Sequence, residues 1–382
     1  MSNFNSVDGD LDRVFFKEHE LYDKFFGTQL WGWGANLLYG AVGDNSTVNK
    51  SSPVTVSGGG TNWKHVSNGK LHSLAIKTDG TLWAWGMNDA GQLGNNTVSD
   101  KSSPVTVSGG GTTWKQISAG GKHNTTIKSD GTLWTWGSNL FGELGISSTI
   151  SRSSPGTISG NNNNWQQCSC NYYCSAAIKT DGTLWTWGYN TKGQLGDNSV
   201  TNKSSPVIVS GGGTNWKQIS CGYQVMGAIK TDGTLWTWGT NNYNALGQGV
   251  NGGPSKSSPV TIAGGGTTWQ SVSIAHYYGA AIKTDKTLWV WGSNQSGQLG
   301  TVSSNSQSSP VTVSGGGTTW KQISSASYFM AAIKTDGTLW TWGNNGNGEL
   351  ANNSTVNTSS PGRISGEGTN WKMVSGNHAI RM

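Results

Sequence analysis

A Trp-x-Trp-Gly tetrapeptide recurs seven times along this chain, with its second tryptophan at Trp33, Trp85, Trp136, Trp187, Trp238, Trp291 and Trp342, in steps of 51 to 53 residues. Self-similarity at one period means that a single supersecondary unit has been copied, and one copy cannot bury its own apolar face. A further tryptophan opens another segment of every unit, at Trp63, Trp114, Trp165, Trp216, Trp269, Trp320 and Trp371. These seven and the fourteen of the pairs account for all 21 tryptophans, so none is left over for a special site.

One unit reads Trp216-Lys217-Gln218-Ile219-Ser220, a variable stretch, Ala228-Ile229-Lys230, Thr231-Asp232-Gly233, Leu235-Trp236-Thr237-Trp238-Gly239, and after a long loop Pro259-Val260-Thr261. Short β-branched and aromatic segments punctuated by Gly, Asp, Asn and Pro predict four strands per unit, A to D in chain order. Asp-Gly between B and C marks a tight hairpin, because glycine accepts positive φ without a steric cost. Asp285-Lys286 is the departure from it. Residues two apart share a sheet face, so each Trp-x-Trp pair loads one face with two indoles. Burying ~150–250 Å² per ring at ~25 cal/mol per Å² contributes several kcal/mol gross, which predicts indoles as the cement between stacked sheets. The ends are out of phase: a strand C at Leu30 to Gly34 lacks a strand A before it, and Trp371 to Ser375 is a strand A without a strand C after it. Their pairing predicts a closed ring that leaves no open edge. The last unit is short, so its B strand is expected to be incomplete or partly built by residues before Leu30.

The run Trp-Gly-x-Asn-x-x-Gly-Gln-Leu-Gly, present at Trp85 to Gly94, Trp187 to Gly196 and Trp291 to Gly300, resembles the signature of the RCC1 repeat family. The resemblance covers the chain from about residue 28 onward and implies an all-β, seven-bladed β-propeller with four-stranded blades, closed by its N- and C-terminal strands, in agreement with the spacing. The near-identical Ile-Lys-Thr-Asp-Gly-Thr-Leu-Trp-Thr-Trp-Gly units also look like those of RCC1-repeat proteins encoded by marine bacteriophages, which implies a particle component. The domain reading is therefore a leader, 1–27, and a propeller, 28–382.

Composition narrows the function. Net charge is +6, but many lysines sit at repeat-fixed positions such as Lys77, Lys128 and Lys179, beside the aspartate of the next turn, which reads as a solvated ring rather than a nucleic-acid face. No apolar run is long enough for a membrane span or a secretory signal. The spacing of Cys168, Cys170, Cys174 and Cys221 is not a familiar zinc pattern, and they are read as small buried hydrophobes with no metal or cofactor. In the leader, Leu11, Val14, Phe15, Tyr22, Phe25 and Phe26 fall on one helical stripe amid acidic residues, which suggests either a strap over the ring or an assembly anchor.

The copies themselves show where specificity is written. The B-to-C turn and the D-to-A connector barely change between units, whereas the A-to-B and C-to-D loops differ in nearly every one. Antiparallel order puts these variable loops at one end, giving a constant rim and a tailored rim, and loops on a rigid scaffold commonly carry function. The candidate partner-binding residues are Lys70, His72, Lys122, His123, Tyr172, Tyr173, Tyr223, His276, Tyr277, Tyr278, Tyr328 and Phe329, with Leu140, Phe141, Tyr189 and Tyr243 able to widen the patch. Tyrosine supplies large area at low entropy cost with a hydroxyl at its tip, which suits protein or glycan contacts. Carboxylates on the tailored loops (Asp89, Asp100, Glu143, Asp197, Glu349) are scattered and form no catalytic set, so no enzyme activity is expected. The expectation is a non-catalytic scaffold in a virion, contacting other virion proteins or a host surface protein or glycan, and not nucleic acid. The alternative is a soluble regulator, an enzyme inhibitor or small-GTPase partner of the kind the family contains; the nearly constant unit length leaves no room for the wedge that exchange factors of the family use.

Overall fold

The computed structural model describes residues 27–382 except 59, 110, 161, 212 and 367. Seven four-stranded antiparallel sheets stand around a central channel. Six are built from consecutive strands, as in Trp216–Cys221, Val225–Lys230, Leu235–Gly239 and Lys256–Thr261. The blade that closes the ring takes C and D from Gln29–Gly34 and Lys50–Thr55, and A and B from Trp371–Ser375 and His378–Arg381. We number it blade 1 and the others 2 to 7 in chain order. Its B strand has four residues where the others have six, yet it comes whole from the C-terminal side and pairs Gln29 with Arg381 through to Gly32 with His378. The leader stripe from Leu11 to Phe26 lies outside the described residues.

The sheets are held by a repeated set of contacts. Each of the seven hydrophobic clusters spans a blade-blade interface; the one between blades 4 and 5 packs Ile178, Leu184, Leu195 and Val209 of one against Trp216, Ile219 and Trp238 of the next. In blades 2, 3, 5 and 7 both indoles of the Trp-x-Trp pair meet the strand-A indole of their own blade, as with Trp63 against Trp83 and Trp85, at ring separations of 6.2 and 6.3 Å. The second indole of every pair is fully buried, and its N–H donates to a carbonyl in the C-to-D loop of the preceding blade. Trp85 bonds Ala41 in this way, Trp136 bonds Gln92, Trp238 bonds Gln194 and Trp33 bonds Glu349 across the closure, all within 2.8–3.0 Å. A buried polar tip is thus satisfied while the rest of the ring stays apolar.

Strand A lines the channel, and its serine completes a second belt. Ser67 Oγ accepts the Ala119 N–H, Ser118 that of Cys170, and so on around the ring to Ser375, which accepts the Asn68 N–H; all seven bonds measure 2.8–3.1 Å. The repeat lysines do not act as expected from their neighbouring aspartates. Lys77 Nζ lies 5.0 and 4.4 Å from the rings of Trp63 and Trp83, and the pattern recurs through Lys334, with the Arg381 guanidinium over Trp371 in blade 1. The ammonium caps an indole pair, a cation–π contact. The aspartates instead accept the N–H and hydroxyl of the threonine two residues on, as Asp79 does from Thr81.

The signature asparagine frames the C-to-D loop. Asn88, fully buried, accepts the Leu93 N–H and donates to the Thr97 and Ser99 carbonyls. Glycine after the second tryptophan is obligatory: at Gly86, φ is +101° and a Cβ would sit 2.5 Å from the Leu71 carbonyl oxygen in the A-to-B loop. Most of these loops thus hang different side chains on one frame, whereas the C-to-D loop of blade 5 is longer and carries a 3-10 turn at Asn242–Asn244.

Candidate binding face

The A-to-B and C-to-D loops do share one end, and the aromatic side chains on them meet. From blade 3 to blade 7 the rings form a continuous crescent. Phe141 packs against Tyr173 and Tyr189 at 5.2 and 4.9 Å, and Tyr173 against Tyr172 at 6.0 Å. Tyr172 meets Tyr223 at 4.9 Å and His276 at 5.2 Å, and Tyr223 lies 4.4 Å from His276. His276 stacks on Tyr328 at 5.4 Å and touches Tyr277, which reaches Tyr243. Lys70 closes the circle from blade 2, with its Nζ 5.2 Å from the Tyr172 ring. Tyr243 and Tyr328 are 48% and 46% exposed, so the outer and inner edges of the crescent are open to solvent.

Within this cluster the hydroxyls of Tyr172, Tyr173, Tyr189, Tyr223, Tyr243, Tyr277 and Tyr328 make no hydrogen bond to any described residue. Burial, with the neighbouring phenols adding to it, raises the pKa of Tyr223 and Tyr277 above the usual tyrosine value. Burial and then the Lys70 charge lower that of His276. His276 is therefore a neutral ring at pH 7, and its buried Nδ1 has no partner among the described residues. Lys122, by contrast, is tied to Asp89 at 2.5 Å in an exposed pair.

Four of the expected contact residues belong to the wall, which corrects the sequence reading. His72, His123, Tyr278 and Phe329 are buried because each is the first residue of a strand B, and strand B is covered on both sheet faces. The visible loop ends one residue earlier. His72 Nε2 lies 2.7 Å from Asn124 Oδ1 and His123 Nε2 lies 2.9 Å from Ser175 Oγ, both across an interface. Burial lowers their pKa values to about 4 and about 3, and that of His378, which holds the same position in blade 1, to about 4. The Tyr278 hydroxyl sits 2.6 Å from the Phe329 carbonyl and 2.8 Å from that of Ala326. Lys70, Lys122, Tyr172, Tyr173, Tyr223, His276, Tyr277 and Tyr328 do stand at the tailored rim. The loop residues Phe141, Tyr189 and Tyr243 join them, whereas Leu140, 69% exposed, points away toward Asp89 and Arg152.

Sequence reasoning missed what lies beneath the crescent. A cavity of about 360 Å³ opens at the channel mouth, lined by Asn68, Lys70, Asn171, Tyr172, His276 and Tyr328 above and by the strand-A serines below. The serine that recurs four residues after every strand-A tryptophan was the available signal. The scattered carboxylates are all engaged in loop structure: Asp100 accepts the Asn88 N–H, Asp197 bonds Ser199 and Lys203, and Glu349 accepts from Asn347. Glu143 accepts the Phe141 N–H, and burial raises its pKa. The four cysteines are buried thiols; burial drives the Cys168 and Cys221 pKa values well up and that of Cys170 to about 12. Among the described residues no group of three or more His, Cys, Asp or Glu is placed to hold a metal, and no helix is long and apolar enough to cross a membrane.

An RCC1-like domain model matches residues 26–321, and RCC1 repeat models match residues 320–349 and 336–377. The ultraviolet-B receptor UVR8 of Arabidopsis thaliana is 27% identical over 71% of this chain, which spans 61% of that protein. The mitochondrial RCC1 domain-containing protein RUG3 of the same plant is 28% identical over 81% of this chain and 71% of its own length. In fold, the crystal structure of Prp20p from Saccharomyces cerevisiae, described with its binding to Gsp1p and histones, superposes with a TM-score of 0.82 at 17% identity, covering 95% of this chain and 93% of that one.

Proposed function

The chain belongs to the RCC1-like propeller family, and from that premise we propose that it is a non-catalytic binding scaffold whose tailored rim grips a macromolecular partner. The observation that carries this reading is the crescent of touching aromatic rings, with hydroxyls left free, on the loops that differ from blade to blade. Tyrosine anchors with unspent polar tips are what interface hot spots are made of. The engagement of Asp89, Asp100, Glu143, Asp197 and Glu349 in loop structure supports a non-catalytic role. Tyr223→Ala, Tyr277→Ala and Tyr328→Ala combined in one variant would be tested by cross-linking capture from the native source. Capture of a partner by the parent chain and its loss in the variant supports the rim; equal capture by both discards it.

The finer reading is a component of a phage particle, with the rim facing a neighbouring virion protein or a host surface. What supports it is the near-identity of the repeats, which look like those of phage-encoded proteins, and the acidic, apolar-striped segment 1–27, read as an assembly anchor. Mass spectrometry of purified particles tests it, and absence of the chain from them overturns it. A soluble regulator is the second reading, favoured by the relatives, which include a receptor and a protein described as binding Gsp1p and histones.

A further inference from the structure

The composition of the channel mouth says what kind of surface the rim is built to hold. Resting on the binding-face reading above, we infer that the crescent and the cavity beneath it form a subsite for a neutral oligosaccharide. Three features converge on that chemistry. The first is the set of flat rings at Tyr172, His276 and Tyr328 around one mouth, with Tyr223 packed against Tyr172 and His276 beside it, all at different tilts, onto which the C–H faces of pyranose rings pack. The second is a surplus of uncharged donors and acceptors: seven phenol hydroxyls without a partner among the described residues, His276 Nδ1 and Asn68 Oδ1, both buried and partnerless among them, and the serines of the belt, whose oxygens accept backbone N–H bonds but whose own protons find no acceptor among the described residues.

The third feature is the shortage of charge. Lys70 is the cation at the mouth, since Lys122 is paired with Asp89, and the lining carboxylate, Glu349, is held by Asn344 and Asn347. Among the described residues lining the mouth, an extended anion would find one ammonium, and a cation would meet Lys70 with no free carboxylate to offset it. A proline-rich peptide stacks well on tyrosine, but a proline residue brings no donor. It would leave Asn68 Oδ1, the phenol oxygens and His276 Nδ1 facing a ligand unable to satisfy them, at the cost of burying unpaired polar groups. A polyol both gives and accepts at every hydroxyl. The cavity, about 360 Å³, falls in the range of small-molecule sites, which are concave, largely pre-formed and oriented by a few polar groups.

The experiment titrates the full 382-residue chain with maltohexaose, cellohexaose, laminarihexaose, mannohexaose and N-acetylchitohexaose, with decaproline as the peptide comparison, followed by calorimetry and tyrosine fluorescence difference. At least one hexasaccharide binds, and the combined Tyr172→Ala, Tyr223→Ala and Tyr328→Ala variant loses at least tenfold in affinity. Tyr223→Phe, which keeps the ring and removes the hydroxyl, loses about three- to tenfold while its near-ultraviolet circular dichroism stays that of the parent. Binding of none of the five sugars, tighter binding of decaproline at the same residues, or sugar affinity indifferent to the tyrosine changes would each overturn the subsite. Failure here with a protein partner still captured through the rim leaves the scaffold reading standing and removes the glycan alone. Failure of both removes the rim as a binding face.

Discussion

The two rims of the ring are made from the same seven blades and differ in almost every physical respect. At the constant rim most units repeat one solution: an Asp-x-Thr turn, a lysine over two indoles, and a glycine whose Cβ would clash with the connector of the next blade, as Gly80 would with the Thr112 carbonyl at 2.0 Å; blade 1 has Arg381 over Trp371 instead, and blade 6 has Lys286 where the glycine stands. Lys64, Lys115, Lys217, Lys321 and Lys372 add exposed cations there. At the tailored rim Asn88 and its counterparts frame most of the loops, but the side chains on them are unlike from blade to blade, and the crescent's phenol hydroxyls have no partner among the described residues. The lysines that cap the indole pairs stand at the constant rim, while a second repeated set, Lys50, Lys101, Lys203 and Lys256 with Arg152, opens strand D at the other. The difference teaches that uniformity in this fold is the mark of groups that satisfy one another, and variety the mark of groups that satisfy something else.

That contrast can be broken in several places, the largest effect first. His72, His123 and His378 are buried neutral, with folded pKa values lowered to about 4, 3 and 4. A base depressed on folding gives stability that is full above its unfolded value near 6.5 and is lost as pH falls toward the folded value. Urea unfolding at pH 5 is therefore expected to show a loss of roughly 2 kcal/mol per histidine relative to pH 7, about 5 to 6 kcal/mol for the three. An unchanged midpoint would mean that the wall histidines are open to water. Replacing a wall indole, Trp187→Ala, removes a fully buried ring and its bond to the Glu143 carbonyl, and should cost about 3–5 kcal/mol by the same measurement.

The sharpest pairing sets two adjacent tyrosines against each other. Tyr278→Phe deletes a buried hydroxyl held by two carbonyls and should cost about 1–3 kcal/mol, whereas Tyr277→Phe, at the crescent, should move stability by less than about 0.5 kcal/mol. Equal effects would erase the distinction between wall and rim. The smallest expected change lies at the constant rim, where Lys286 holds φ at +68° in the place of a glycine. Lys286→Gly should stabilise by up to about 1 kcal/mol, readable as a rise in melting temperature, since a left-handed backbone costs any side chain ~1–2 kcal/mol and glycine nothing, less the entropy glycine brings.

How much of this was legible in the residues follows from the same division. The seven sheets, the indole cement and the two-ended closure were readable because each is a pattern repeated in register, and a period of 51 to 53 residues is hard to mistake. The rim tyrosines were readable because they break that pattern. What was not legible was the exact residue at which loop becomes strand. His72 and Tyr278 look like their loop neighbours in one dimension, and only the cover that adjacent blades place on strand B separates them from Lys70 and Tyr277. The lysines were misjudged for a related reason: Asp79 is two residues from Lys77 in sequence, while Trp63 and Trp83 come near only once three strands are side by side. The serine belt and the cavity it lines arise from bonds between residues 52 or more apart, which no local window contains.

The seam that closes the ring has a mechanical corollary. Gln29 faces Arg381 at one edge of blade 1, and the ladder runs from there to Gly32 and His378. A pull on these two positions in opposite directions would load the bonds one at a time, as a zipper opens, rather than all together in shear. The disc should accordingly bear traction applied through either terminus alone far better than tension stretched between both, and wherever it is moored, the fitting that preserves it is one that holds a single end.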